Sequence, residues 1–161
     1  MANSPDTYHT VTPYLVVPDA DAELTFLKAA FGGAEATCQR NADNTVMHAE
    51  IKIGDSLIMM NDEMGGGKSP KAIGGSPASL WLYVEDCDAL FNRAVAAGAQ
   101  TAGGPMGQMA DQFWGDRCGT FTDPHGYRWT IATHKEDLSR QELEQRQAEW
   151  MKTFANQPAH K

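Results

Sequence analysis

The sequence is short of cysteine, short of positive charge and without any long apolar run, and each shortage removes a class of protein. Cysteine occurs three times in 161 residues, at Cys38, Cys87 and Cys118. The number is odd and no Cys-x-x-Cys pair exists, so neither a disulfide framework nor a zinc ribbon is expected, and a reducing cytoplasm fits. Lys and Arg total 13 against 21 Asp and Glu, a net charge of -8, which disfavours nucleic acid and anionic membrane surfaces as partners. No stretch approaches the roughly 20 apolar residues of a membrane-spanning helix. Met1 to Thr10 is polar and lacks the apolar segment of a secretory signal, so none is expected. What is present, 42% hydrophobic and 21% charged residues, is ordinary for a globular chain long enough to bury one core.

The informative presence is a repeat. Leu15 to Gly33 reads LVVPDADAELTFLKAAFGG and Leu82 to Ala99 reads LYVEDCDALFNRAVAAGA. Each opens on a short apolar strand and reaches an acid at the same offset, Asp19 or Asp86, suited to accept from the first free N–H groups of a helix. A second acid, Asp21 or Asp88, falls in the first turn, where the helix dipole favours it. Apolar residues follow at helical spacing, Leu24, Leu27 and Phe31, then Leu90, Ala94 and Val95, and each helix stops at glycine, Gly32 or Gly98. The second parts match too: VMHAEIKIGDSLIMM and CGTFTDPHGYRWTIA each read strand, tight turn, strand, with Gly54 and Gly126 at matching turns and another strand before each hairpin, near Ala36 to Arg40 and near Thr101. The expected fold is α+β, with two tandem βαβββ modules over 8–62 and 78–134.

Between them, 63–77 is rich in Gly, Pro and Lys and reads as a flexible linker or lid. Gly67-Lys68-Ser69 hints at a phosphate loop, but Asp62 stands where that motif needs glycine and Pro70 where it needs a following helix. In 135–161, Ser139 with Glu142 forms a capping box. Leu143, Trp150, Met151 and Phe154 then make an apolar stripe, either packed over its own domain or serving as a dimer or pocket-covering arm.

The stretches TPYLVV, VMHAEIKIGDSLIMMND and FWGDRCGTFTDPHGYRWTIATHKEDL resemble the vicinal oxygen chelate superfamily of glyoxalases, extradiol dioxygenases and fosfomycin and bleomycin resistance proteins, and within it the PhnB-like branch. The resemblance runs from Val11 to Leu138. It implies a curved mixed sheet around a central cavity, with helices outside and a homodimeric assembly. Metal-using members take one ligand from the first and fourth strand of each module, His or Gln and then Glu. Counting along the strands places these at Thr12, Ser79, Thr130 and Met59, with Ile58 one residue from the last. None carries a donor that holds zinc, nickel or iron. The family shape is therefore expected without its metal and without any other cofactor.

Strand alternation then says what faces the cavity. With Thr12 and Ser79 inward, so are Tyr14, Val16, Trp81 and Tyr83, while Leu15, Val17, Leu80, Leu82 and Val84 pack outward against the helices. His48, Glu50, Trp114, Asp116 and Cys118 line the cavity or its rim. The expected ligand-binding set is Thr12, Tyr14, Ser79, Trp81, Tyr83, Trp114, Asp116 and Thr130. Such an aromatic pocket suits a flat or amphipathic small molecule. His48 and Glu50 share one face and form the candidate catalytic pair for proton transfer. Asp116 with Arg117 reads as an ion pair at the start of a strand, His125 as an exposed turn residue, His134 as a module-edge residue, and Cys118 as inward but without a cation to lower its pKa. The methionines read as soft core filler. Two functions stay open: a metal-independent binding protein, and a lyase- or isomerase-type enzyme using His48 and Glu50.

Overall fold

The computed structural model describes residues 8–155, with side chains described as far as Lys152. The repeat is plainest at two helix starts. Asp19 caps α1 (Ala20–Phe31) by accepting from Ala22 N at 2.9 Å, and Asp86 caps α3 (Cys87–Ala96) by accepting from Ala89 N at 2.9 Å. α1 ends at Gly32, whose φ of 69° places it in the left-handed region that glycine occupies without strain. α3 closes one residue before Gly98, with Ala97 still right-handed.

Around α1 lie β1 (Tyr14–Val17), β2 (Ala34–Arg40), β3 (Val46–Ile53) and β4 (Ser56–Asp62), in the sheet order β1-β4-β3-β2. Around α3 lie β5 (Ser79–Tyr83), β6 (Gln100–Thr101), β7 (Ala110–Asp111), β8 (Asp116–Thr122) and β9 (Arg128–His134), in the order β5-β9-β8-β6 with β7 also paired to β8. The first strand of each sheet is parallel to the last and the hairpins are antiparallel, so both sheets are mixed and the class is α+β. The strand expected near Thr101 is broken in two. Residues 102–109 contain Gly103, Gly104, Pro105 and Gly107, which weaken strand pairing.

Leu24, Leu27 and Phe31 of α1, Leu90, Phe91 and Ala94 of α3, and Val17, Ile51, Phe121, Trp129 and Ile131 from the sheets form one hydrophobic cluster. Phe31 ties the repeats together: its ring lies 4.8 Å from that of Trp129 and 6.1 Å from that of Phe121. Truncating such a side chain costs about 3–5 kcal/mol. Two polar ties cross the same joint. Arg93 Nε donates to Ala30 O at 2.7 Å, and the Tyr127 hydroxyl accepts from Val16 N at 2.9 Å while donating to Val16 O at 3.0 Å.

The stretch between the sheets contains a one-turn helix, α2 (Pro70–Ile73), and so corrects the expectation that no helix follows Ser69. Pro70 stands at the first helical turn, where its missing N–H costs nothing. Ser69 is the buried N-cap and Glu63 accepts from its N–H at 2.8 Å. α4 (Arg140–Ala155) starts with the expected box: Glu142 accepts from Ser139 N at 2.9 Å and Ser139 Oγ accepts from Glu142 N at 3.3 Å. Its Trp150 lies 5.3 Å from the Phe113 ring, ring to ring, whereas Met151 is exposed. Phe154, the last member of the expected stripe, falls outside the described side chains. Among the described residues no helix is long and apolar enough to cross a membrane.

Candidate functional site

The face of each sheet turned away from the helices is set by alternation, and the strand register arranges it in rows. In the second sheet one row holds Thr122, Arg128 and Ser79; the next Thr120, Thr130 and Trp81; the next Cys118, Ala132 and Tyr83; the last Asp116 and His134. In the first sheet one row holds Tyr14, Met59, Glu50 and Thr37, and Gln39 and His48 form part of another. Leu15 and Val17, the alternate residues of β1, are buried against the helix side, while Tyr14 is 50% exposed. Trp81 and Tyr83 are 44% and 58% exposed and stack on one another at 6.3 Å.

The structure gathers the predicted residues into two groups. In the first sheet, Glu50 Oε1 accepts from the Tyr8 hydroxyl at 2.5 Å and lies 2.9 Å from His48 Nε2, with the Tyr14 ring 6.1 Å from the imidazole. The His48 hydrogen bond and then that of Tyr8 hold the Glu50 carboxyl below its ordinary value, and the same carboxylate raises Tyr8. In the second, Asp116 accepts from Tyr83 Oη at 2.9 Å, Trp114 Nε1 at 3.0 Å and His134 Nδ1 at 2.8 Å. Burial pushes Asp116 up, but these three donors outweigh it and leave the carboxyl below its ordinary value. Its partner His134 is raised, chiefly by that bond. Among the described residues no hydrogen bond or ring contact joins the two groups.

Several expectations change. Thr12 lies two residues before β1 begins and its hydroxyl donates to His9 O, so the residue beside Met59 is Tyr14. Ser79 pairs with Arg128, and Thr130 pairs with Trp81. Thr130 and Asp116, expected to meet a ligand, are buried beneath the face: the Thr130 hydroxyl is bonded to that of Thr120, and Asp116 is enclosed by its three donors. Asp116 and Arg117 are not an ion pair, because adjacent strand residues point to opposite faces. Arg117 instead makes a two-pronged bond to Asp88 and another to Asp111. Cys118 is fully buried, and that burial pushes its thiol up to about 11, the opposite of a nucleophile. Among the methionines, Met60 is core but Met47 is exposed.

His125 is buried rather than exposed, at the joint between the sheets. Beside it Asp123 accepts from the N–H groups of His125 and Tyr127 and from Trp129 Nε1, all within 2.9 Å. Glu23 of α1 is fully buried without a hydrogen-bond partner for either oxygen, 3.7 Å from His125 Nε2. Burial pushes Glu23 up and His125 down. Sequence pattern missed this cluster because Glu23 sits at an ordinary first-turn position and only the fold brings the Asp-Pro-His-Gly turn against it.

The metal positions of the resembling family do not fit a metal here. Across each first-and-last strand pair stand Tyr14 with Met59 and Trp81 with Thr130, and a thioether, an indole and hydroxyl groups do not hold the divalent metals such sites use. Among the described residues no three His, Cys, Asp or Glu side chains group closely enough to hold an ion.

A repeated βαβββ unit with one helix packed on each mixed sheet defines a duplicated α+β protein. The family model of the Glyoxalase/Bleomycin resistance protein/Dioxygenase superfamily matches residues 8–131, and the chain belongs to that superfamily. It is similar to an uncharacterised protein of Mycobacterium bovis, 35% identical over 139 residues, 83% of this chain and 89% of the other. Of solved structures, an Arabidopsis thaliana gene product superposes with a TM-score of 0.63 at 26% identity, covering 78% of this chain and 98% of that one. A bleomycin-binding protein complexed with bleomycin superposes with a TM-score of 0.56 at 20% identity, covering 79% and 99%, and shows the common fold.

Proposed function

We propose that the chain is a metal-independent small-molecule binding protein of the PhnB-like branch, acting as a cytoplasmic homodimer and laying a planar or amphipathic compound on the aromatic face of its sheets. The observation that carries this reading is the exposure of Tyr14, Trp81 and Tyr83 on one strand phase, while on the other Leu15 and Val17 are buried and Leu80 and Leu82 partly buried. A stacked, half-exposed aromatic pair such as Trp81 with Tyr83 offers a surface on which a flat molecule can rest. The bleomycin complex of a protein with the same fold supports a small molecule as that occupant, and the absent donors at Tyr14, Met59, Trp81 and Thr130 support a site without metal. Thermal shifts against planar antibiotics and aromatic metabolites, with and without a chelator, test it. A stabilising compound whose effect survives chelation is the expected result, with Trp81→Ala weakening it about 10- to 100-fold. Stoichiometric metal after gentle purification, lost together with binding on chelation, overturns it. Light scattering reads the dimer; a single 17.5 kDa species at micromolar concentration removes that part.

The bonded His48 and Glu50, 2.9 Å apart with Tyr8 on the same carboxylate, favour a second reading, proton-transfer catalysis. Replacing His48 by Gln separates the two: in a binding protein affinity alone shifts modestly, and in an enzyme turnover falls about 100-fold or more.

A further inference from the structure

We infer that the ligand carries an anionic group, seated in a cavity at the start of β5 and β9 whose wall holds both Lys71 and Arg128; this rests on binding at the aromatic face. The cavity has a volume of about 360 Å³, is lined by Lys71, Gly74, Gly75, Thr122, Gly126 and Arg128 among others, and has no acidic residue in its wall. Arg128 is set apart from every other arginine of the chain. The remaining five each donate to a carboxylate or a backbone carbonyl, whereas Arg128, among the described residues, makes no side-chain hydrogen bond or ion pair. Lys71 likewise has neither. In a chain of net charge -8, a carboxylate for each would be easy to supply, and the wall contains none.

Backbone places both cations in the one wall. Gly126, at φ 100°, turns β8 into β9, and a Cβ built there would meet Pro70 Cβ at 3.0 Å and Lys71 Cγ at 3.6 Å. Only glycine allows α2 to lie over the turn, with Lys71 in the same wall as Arg128. Gly74 and Gly75, at φ 83° and 147°, then lead the chain round the rim to β5.

The cavity is continuous in register with the aromatic face. Arg128 lies in the row of Ser79 and Thr122, and the adjacent row on the same face holds Trp81 and Thr130. Rows on one face are about 7 Å apart along the strand. A flat ring resting on Trp81 therefore places a carboxylate, phosphate, phosphonate or sulfonate one short linkage away within reach of the guanidinium fork, which meets oxyanions in bidentate fashion. Thr122 adds a hydroxyl donor in the same wall.

The test compares two fluorescent probes with the same aromatic body, anionic 8-anilinonaphthalene-1-sulfonate and uncharged N-phenyl-1-naphthylamine, on the full chain. Arg128→Gln and Lys71→Gln should each weaken the anionic probe about 10-fold and leave the uncharged one within about twofold. Trp81→Ala should weaken both. Equal anionic affinity in the wild type and both charge variants overturns the anion seat while leaving the aromatic face standing. An equal loss for both probes in the charge variants also overturns it, because the cations would then be acting on the ring. Loss in the charge variants without loss in Trp81→Ala keeps the anion seat and removes the aromatic face. Inorganic phosphate, which needs no ring surface, provides the independent reading: its titration should move the amide resonances of Gly74, Gly75 and Gly126 at low ionic strength, and no movement at tens of millimolar overturns the seat.

Discussion

The two sheets share a backbone plan and differ in where they keep their carboxylates. Both helices start on an aspartate cap and both first strands run parallel to the last. The turn of the first hairpin, at Gly54, leaves Asp55 with its side chain 88% exposed, accepting from its neighbour Ser56 and lying 3.9 Å from His9 Nε2. The turn of the second hairpin buries Asp123 to 4% under three donors. On the open faces, Glu50 of the first sheet holds a tyrosine and a histidine in mid-strand, and Asp116 of the second gathers three donors at a strand end. A repeated unit keeps the groups its backbone needs, the caps and glycines, and lets the polar groups of its faces and turns diverge.

The largest effect should come from the turns. Asp123→Ala strands three donors, two of them buried, and a buried donor costs about 1–3 kcal/mol when unpaired, so a loss of about 3 kcal/mol or more is expected in denaturant unfolding. Asp55→Ala should change stability by less than about 0.5 kcal/mol. Similar losses at both positions would erase the contrast.

A smaller effect, opposite in sign, is expected at Glu23. Its carboxyl is buried without a hydrogen bond and its pKa is raised, so the folded chain retains a proton that the unfolded chain releases. The Glu23 share of stability is then fully present below the ordinary glutamate range and is lost as pH rises from there through the raised value. Glu23→Gln keeps the size and removes the charge. It should raise the melting temperature by a few degrees at pH 8 and leave it nearly unchanged at pH 4. A destabilised variant at pH 8 would mean that Glu23 is held as an anion by His125.

The smallest concerns Asp116 and His134. His134 is raised by Asp116, so its share of stability is complete below the ordinary histidine value and is lost as pH rises through the raised one; Asp116 is lowered, so its share is lost as pH falls through the lowered one. The pair is therefore intact from acidic to near-neutral pH. Its weight is small because the His134 side chain is 52% exposed. In Asp116→Asn the imidazole proton resonance of His134 should titrate closer to the ordinary value of about 6.5. An unchanged midpoint would assign the shift to Asp137, 3.1 Å from its other nitrogen.

What was legible in the sequence was local. An aspartate before an apolar helix, a glycine after it, and alternation along a strand act within a few residues, and they gave the helices, the hairpins and the buried phase of Leu15 and Val17. What was not legible depends on distance along the chain. Arg117 finds Asp88 across 29 positions, and His125 meets Glu23 only after the sheets have docked. Counting along the strands puts Thr12 on β1, yet the strand begins at Tyr14. The Lys71–Arg128 cavity left no motif, since it is made where a one-turn helix crosses a hairpin.

The Tyr127 hydroxyl both receives from and gives to the backbone of Val16. β1 is the outer strand of its sheet, and an outer strand offers the same two groups to any extended chain that comes alongside. A single phenol thus occupies, at that residue, the place a foreign strand would take. Its removal in Tyr127→Phe opens a docking point for self-association, so the first symptom of that variant should be turbidity at high concentration and elevated temperature, in a protein whose native structure has barely changed.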